Sequence, residues 1–93
     1  MSDYKLYTLS SPLAFRIFQF VDGQKTVVTQ LEIKQAIKNN SLSYWLDVLT
    51  ARGLIVRNTE PRTIPQLYSS ANVALDVVRK SFAPELWKGN NGI

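Results

Sequence analysis

The stretch VTQLEIKQAIKNNSLSYWLDVLTARGLIV, residues 28–56, decides how this chain of 93 residues folds. Thr29 and Glu32 have the spacing of a capping box, in which a hydroxyl and a carboxylate accept hydrogen bonds from the first free backbone amides of a helix. A helix is therefore predicted to begin near Gln30. Its apolar residues, which lie mostly on one side as in a partly buried helix, are Leu31, Ile33, Ala36 and Ile37.

A second helix is expected after a short turn. Residues 39–41, Asn-Asn-Ser, should close the first helix and open the next, because these side chains cap helices and compete with the helical backbone for hydrogen bonds. Spacings of four and three residues then place three leucines on one face, with Trp45 at its margin; these leucines are Leu42, Leu46 and Leu49.

The end of the second helix and the following segment also have clear patterns. Gly53 can take the left-handed conformation of a C-terminal cap, and Arg52 complements the negative end of the helix. Residues 54–57 have the composition of a strand. Turn formers and two prolines occupy residues 58–65, ahead of a strand candidate at 66–68, which predicts a hairpin wing with Arg62 at its tip.

Three further elements are expected outside this stretch. Ser11 and Pro12 predict the start of a helix that Asp22-Gly23 ends, since serine caps well and proline suits the first helical position. Residues 26–28 are a short strand candidate. Ser69-Ser70 is expected to cap a last helix from about Ala71 to Phe82, and Pro84 an extra turn.

Length and composition favour a single domain over residues 1–93, with an extended arm or strand at 1–10 and a flexible tail at 88–93. The chain has neither cysteine nor histidine, so thiolate metal sites, disulfides and histidine-based catalysis are excluded. We expect no cofactor, no bound metal and no enzymatic activity. The sequence shows no membrane span or signal peptide, and predicts a cytoplasmic protein of a prokaryote or a virus-infected host cell.

Charge favours a polyanion as partner. The net charge is +4, and residues 25–62 contain six basic and three acidic residues, so this segment carries +3 of the excess. Together with the order of elements, this predicts an α+β winged helix-turn-helix with about four helices, a small antiparallel sheet and a hairpin wing. Such a domain can place its second helix in a groove of double-stranded DNA.

The candidate DNA contacts follow from the leucine face. If those leucines point inward, the outward residues that would meet base edges are Asn40, Ser41, Ser43, Tyr44 and Asp47. Helix capping alone is the alternative role for Asn40, Ser41 and Ser43. Asp47 would be repelled by phosphates, so it must lie away from them, accept from a cytosine amine, or show that this face does not meet DNA.

Four cations complete the predicted DNA surface. Arg57 and Arg62 flank the wing, where they could contact phosphates or enter a minor groove. Lys34 and Lys38 lie one helical turn apart on the first helix of the motif, which would cross the phosphates. Ordinary solvated side chains are the alternative for all four. Trp45 is expected to close the core, the alternative being stacking on a partner.

The C-terminal part of the chain is more apolar than one short helix needs. A dimer or partner interface is one expectation for this surface, and packing of the helix onto Phe15, Phe18 and Leu6 within one chain is the other. The residues concerned are Val73, Val77, Val78, Phe82, Leu86 and Trp87.

Two families resemble this chain. Its Thr29-x-x-Glu-Ile, Leu42-Ser-x-x-Leu-x-Val-Leu and Arg52-Gly-Leu-Ile-Val order resembles winged-helix transcription regulators of the ArsR and MarR kind, over about residues 12–68. The whole layout, including Ala83-Pro-Glu-Leu, is similar to the N-terminal activation domain of the phage MotA family of middle-transcription activators.

The second resemblance changes the expected partner. It implies contact with the sigma factor of RNA polymerase, since in that family a separate C-terminal domain binds DNA. No such second domain lies within these 93 residues. Two expectations follow: a fragment or paralogue that contacts protein, or a complete small winged helix that binds DNA itself.

Overall fold

A computed structural model of the chain describes residues 8–88. In chain order, its elements are α1 (Pro12–Asp22), β1 (Val28–Thr29), α2 (Gln30–Ala36), α3 (Leu42–Ala51), β2 (Ile55–Arg57), β3 (Leu67–Ser70), α4 (Leu75–Ser81) and α5 (Pro84–Trp87). The fold is α+β, as the sequence predicts. The predicted arm and tail lie largely outside the described residues, as does the contact expected of Leu6.

The three strands form one antiparallel sheet in the order β1-β3-β2. Val28 of β1 is opposite Tyr68 of β3, and on the other edge Ile55 of β2 is opposite Ser70. β3 is therefore the central strand, and the loop of residues 58–66, called the β2–β3 loop below, joins it to its neighbour. Among the described residues, no helix is long and apolar enough to cross a membrane.

Local caps fix the starts of α1 and α2 where the sequence predicts them. The Ser11 hydroxyl accepts from the Ala14 amide at 3.2 Å. In the capping box, the Thr29 hydroxyl accepts from the Glu32 amide at 3.0 Å while the Glu32 carboxylate accepts from the Thr29 amide at 2.8 Å. Gly53 follows α3 with φ of 75°, the left-handed conformation expected there.

The core lies between α1, α2, α3 and the sheet. Leu42, Leu46 and Leu49 are buried, so the predicted leucine face does point inward. Tyr68, at the centre of the sheet, is 2% exposed. Trp45 is partly buried and packs against the core, as expected. The orientation of α3 is thus set by three leucines on one face, which leaves its opposite face to solvent.

The apolar set predicted for α2 is partly wrong. Ile33 and Ile37 are buried, but Leu31 is 60% exposed and Ala36 is also exposed. With only seven residues in α2, one narrow side reaches the core. Leu31 lies on the side of α2 away from buried Ile33. There it faces the β2–β3 loop and lines a hollow with Ile64.

The predicted boundary of the last helix is also wrong. α4 begins at Leu75 rather than near Ala71, because Ser69 and Ser70 continue β3 instead of capping a helix. The Ser70 hydroxyl donates to the Asp22 carboxylate at 2.7 Å, and Asn72 has φ of 53°. This hydrogen bond joins residues far apart in the chain, which local sequence cannot reveal.

Two residues of the predicted interface belong to the core instead. Val78 is 6% exposed and Phe82 is fully buried. The Phe82 ring lies 4.9 Å from that of Phe15 and 5.3 Å from that of Phe18, measured between centroids. The expectation that this segment packs on Phe15 and Phe18 is therefore confirmed for the described residues, and neither Val78 nor Phe82 is accessible to a partner.

The remaining residues of that set are divided. Val73, Leu86 and Trp87 are partly buried against the core, and Val77 is 39% exposed. The Trp87 Nε1 atom donates to the backbone carbonyl of Phe82 at 2.9 Å, so this side chain is fixed within the chain. Of the large apolar side chains of α4, Val77 and Leu75, which is 49% exposed, remain in solvent.

The segment before α1 is also held to the C-terminal helices. Leu9 is buried and pairs in parallel with Phe82. Its amide donates to the Ser81 carbonyl at 2.8 Å, and its carbonyl accepts from the Ala83 amide at 2.7 Å. These contacts join the segment before α1 to the segment between α4 and α5.

Candidate functional site

The solvent-facing side of α3 carries the polar residues predicted there. All five side chains are exposed; they are Asn40, Ser41, Ser43, Tyr44 and Asp47. Tyr44 is 62% exposed and its ring meets that of Trp45 edge to face, with centroids 4.9 Å apart. An aromatic ring is thus held at the surface by a partly buried one. This polar side is called the α3 outer face below.

Hydrogen bonds at the start of α3 show which of the exposed polar side chains there also cap the helix. The Asn39 side-chain oxygen accepts from the Ser41 amide at 2.7 Å, whereas the Ser41 hydroxyl makes no capping bond to the helix. The expectation that Ser41 caps α3 through its side chain is therefore wrong. The Ser43 hydroxyl accepts from the Gln30 amide group at 3.0 Å, which joins the first turns of α2 and α3.

Asp47 and Arg57 form a salt bridge from α3 to β2. The Asp47 side chain is 69% exposed and that of Arg57 is 26% exposed. Arg57 also donates to the Tyr68 hydroxyl from Nε and Nη2, at 3.4 and 3.3 Å, and lies 5.4 Å from the centre of that ring. Arg57 is therefore fixed by two partners rather than extended into solvent.

These contacts also affect the charge of Arg57. The hydrogen bonds that Arg57 donates to the Tyr68 hydroxyl and, to a lesser extent, to the Asp47 carboxylate raise the pKa of Arg57 above its ordinary value, while burial opposes the change. A raised pKa in the folded state means that protonated Arg57 stabilises the fold. This stabilisation is fully present at every pH below the ordinary arginine pKa and is lost only as the pH rises through the raised value. The guanidinium is a constant cation beside the Asp47 carboxylate.

A cleft of about 530 Å³ separates the α3 outer face from the β2–β3 loop. Hydroxyl, amide, carboxylate and guanidinium groups all border it. Its lining residues from α2 and α3 are Gln30, Ser43 and Asp47, and those from the sheet and loop include Arg57, Arg62, Thr63, Ile64 and Tyr68. The structure therefore brings together residues that the sequence assigns separately to the second helix and to the hairpin.

The β2–β3 loop is held in shape by Gln66. Its side-chain nitrogen donates to the carbonyls of Glu60 at 3.0 Å and Thr63 at 2.6 Å, and its oxygen accepts from the Thr59 hydroxyl at 3.0 Å. Arg62, at the tip, has φ of 71° and is exposed. A loop with internal hydrogen bonds presents Arg62 in a defined position, which lowers the entropy lost on binding.

Lys34 and Lys38 are exposed, but they do not share a helix. α2 ends at Ala36 and Ile37 is extended, with φ of −129° and ψ of 93°, so Lys38 lies beyond the helical turn that the sequence predicts. Both lysines nevertheless line the same hollow with Asn39 and Asn40. The expected proximity of the two cations is retained by the turn between the helices.

Three residues of this region were missed by sequence reasoning. Gln30 bridges to Ser43, Tyr68 holds Arg57, and Ile64 is 91% exposed in the β2–β3 loop. Only Ile64 has a sequence signature, as the one large aliphatic residue among turn formers. The roles of Gln30 and Tyr68 depend on contacts between elements. Within residues 8–88, no group of three acidic residues could hold a metal ion.

Comparison of the chain with protein-family models, curated proteins and solved structures found no match.

Proposed function

We propose that this chain is a transcription regulator that binds double-stranded DNA through a winged helix-turn-helix. In this proposal α2 and α3 form the helix-turn-helix and the β2–β3 loop is the wing. The observation that carries it is the cleft that Ser43 and Asp47 of the α3 outer face line together with Arg62 of the loop. An exposed polar helix face beside a loop with an arginine at its tip is an arrangement by which such domains can contact duplex DNA.

The proposed contacts divide into two kinds. Asn40, Ser43 and Tyr44 would contact base edges in the major groove, where amide and hydroxyl groups can distinguish base pairs. Lys34, Lys38 and Arg62 would contact phosphates on either side. Phosphate contacts orient the duplex and supply affinity, whereas contacts with base edges supply sequence preference.

The Asp47 to Arg57 salt bridge removes one objection to DNA binding. An isolated carboxylate on this face would repel phosphates, but here a guanidinium balances its charge. The pair is less suited to the direct DNA contact that the sequence suggested for Arg57, since Arg57 already donates to Asp47 and Tyr68. We assign it to holding the α3 outer face against the sheet.

Alanine substitutions in the two groups test this proposal. Ser43→Ala and Tyr44→Ala should reduce the difference in affinity between preferred and other duplexes, with Kd for non-preferred DNA nearly unchanged. Arg62→Ala and Lys38→Ala should weaken binding to all sequences. Lys80→Ala, which removes the same charge from exposed α4, is the matched control. A mobility-shift titration at low salt in which Arg62→Ala and Lys80→Ala behave alike would contradict the proposal.

A second candidate function is contact with a protein of the transcription machinery, RNA polymerase or a sigma factor. The observation that favours it is Tyr44, which is 62% exposed beside the neutralised Asp47 and Arg57 pair. Exposed tyrosine with little net charge is typical of the centres of protein interfaces. In that case the unsubstituted chain would have no measurable affinity for duplex DNA, and Tyr44→Ala would abolish its binding to polymerase.

A further inference from the structure

An apolar groove lies on the other side of α2 from the core. Leu31 is 60% exposed and Ile64 is 91% exposed, and these two residues line one hollow of about 360 Å³ together with Pro65 and Lys34. A large aliphatic side chain left almost wholly in water is unfavourable, and two such residues facing one hollow exceed ordinary scattered exposure.

The hollow continues along α2. Leu31 and Lys34 also line a second hollow of about 630 Å³, which reaches Lys38, Asn39 and Asn40 in the turn before α3. The two hollows adjoin along α2 and share Leu31 and Lys34 as lining residues, and we treat this surface, from the β2–β3 loop to the α2–α3 turn, as one groove. We call it the α2 groove. Its length along a helix suits an extended or helical segment better than a compact small molecule.

The charges of the α2 groove are all of one sign. Lys34 and Lys38 are its charged lining residues, and no carboxylate lines either hollow. The carboxylate of nearby Glu32 is instead held in the capping box by the backbone amide and hydroxyl of Thr29. The groove therefore offers an apolar end at Leu31 and Ile64 and a cationic side.

From this complementarity we infer that the α2 groove binds an acidic amphipathic segment of another protein. Apolar side chains of the segment, at helical spacing, fill the hollow between Leu31 and Ile64, and its carboxylates lie against Lys34 and Lys38. Duplex DNA would satisfy the lysines but has few apolar groups to fill the hollow. The inference goes beyond the proposed function and does not rest on it; because Lys34 and Lys38 are also the proposed phosphate contacts, the segment and duplex DNA would compete for these two lysines.

A designed peptide provides the probe. It is about 15 residues long, near the lower limit for an isolated helix, with leucines at i, i+3, i+4 and i+7, four glutamates that are not spaced three or four residues apart, and alanine elsewhere. A charge-reversed peptide has lysine at each glutamate position. Titration of the isotope-labelled full chain should move the backbone amide resonances of Leu31, Lys34 and Ile64 with the acidic peptide, and not with the charge-reversed one.

Variants test the groove without disturbing the fold. Ile64→Ser and Leu31→Ser should each raise the Kd of the acidic peptide by about fivefold or more, as expected when an apolar anchor is removed from a contact. Lys34→Glu should weaken the binding of the acidic peptide and strengthen the binding of the charge-reversed peptide. Val77→Ser is the matched control, because Val77 is an exposed aliphatic residue on α4. Unchanged thermal unfolding temperatures would show that the variants remain folded.

Three outcomes would overturn the inference: equal binding of both peptides, equal effects of Ile64→Ser and Val77→Ser, or resonance changes confined to residues outside the groove. Duplex DNA titrated separately provides a further test. If DNA shifts the amide resonances of Leu31 and Ile64 and neither peptide does, the groove is a nucleic-acid surface and the inference fails. If the acidic peptide binds and DNA does not, the inference stands while the proposed function fails.

Discussion

At the scale of single residues, Asp47 and Arg57 show how context changes the meaning of a charge. The sequence places a carboxylate on a face expected to meet phosphates and an arginine beside the wing. In the structure these opposite charges pair, and Tyr68 completes the partners of Arg57. The residue types and the outward direction of Asp47 could be predicted, but their pairing could not, because they lie on different elements.

This pair gives a prediction for Asp47→Asn. The variant removes a negative charge from the α3 outer face and leaves Arg57 unbalanced, so duplex DNA should bind about two- to fivefold tighter at low salt. Stability should fall by less than about 1 kcal/mol, since the Asp47 side chain is 69% exposed and solvent screens the pair. Fluorescence anisotropy with labelled duplex measures the affinity.

Asp76→Asn is the control for Asp47→Asn. It makes the same change of charge in the first turn of α4, away from the cleft. If the two variants change DNA affinity equally, only net charge matters. The assignment of DNA contact to the α3 outer face would then lose its support.

At the scale of elements, the starts of α1 and α2 were predictable because capping residues close in sequence determine them. Ser11 with Pro12, and Thr29 with Glu32, begin α1 and α2 as the sequence indicates. The end of α2 and the start of α4 were harder to predict. α2 ends before Lys38, and α4 starts late because Ser70 continues β3 and bonds to Asp22. Strand pairing and a distant partner there prevailed over the capping preference of serine.

The capping box predicts a measurable stability difference. Thr29→Ala removes the hydroxyl that accepts from the Glu32 amide and should lower the free energy of unfolding by about 1 kcal/mol. Thr26→Ala is the matched control, since Thr26 is exposed and precedes β1. Urea denaturation followed by circular dichroism compares them. Equal midpoints for the two variants would show that the box contributes nothing to the fold.

At the scale of the whole molecule, the core was predictable from periodicity on α3 but not at the C-terminus. The leucines of α3 point inward as their spacing requires. Sequence alone left Phe82 between an interface and the core, because an apolar face does not identify what covers it. In the structure the Phe82 ring packs against the rings of Phe15 and Phe18, and the backbone of Leu9 pairs with that of Phe82.

Removal of the Phe82 ring should therefore destabilise the single chain. Phe82→Ala is expected to lower the free energy of unfolding by about 3–5 kcal/mol, as for other large cavities in cores. Val77→Ala, on the exposed side of α4, should cost far less. Thermal unfolding at two protein concentrations measures both. A loss for Phe82→Ala that vanishes at low concentration would instead place this residue in an interface between chains.

The salt dependence of DNA binding tests the central claim most directly. Three proposed phosphate contacts, from Lys34, Lys38 and Arg62, predict that the logarithm of the association constant falls with the logarithm of salt concentration with a slope of about −2.7. Lys38→Ala should bring the slope about one unit closer to zero. Anisotropy titrations of a labelled duplex from low to physiological salt provide both values. A slope near zero, or no saturable binding at the lowest salt, would contradict the account.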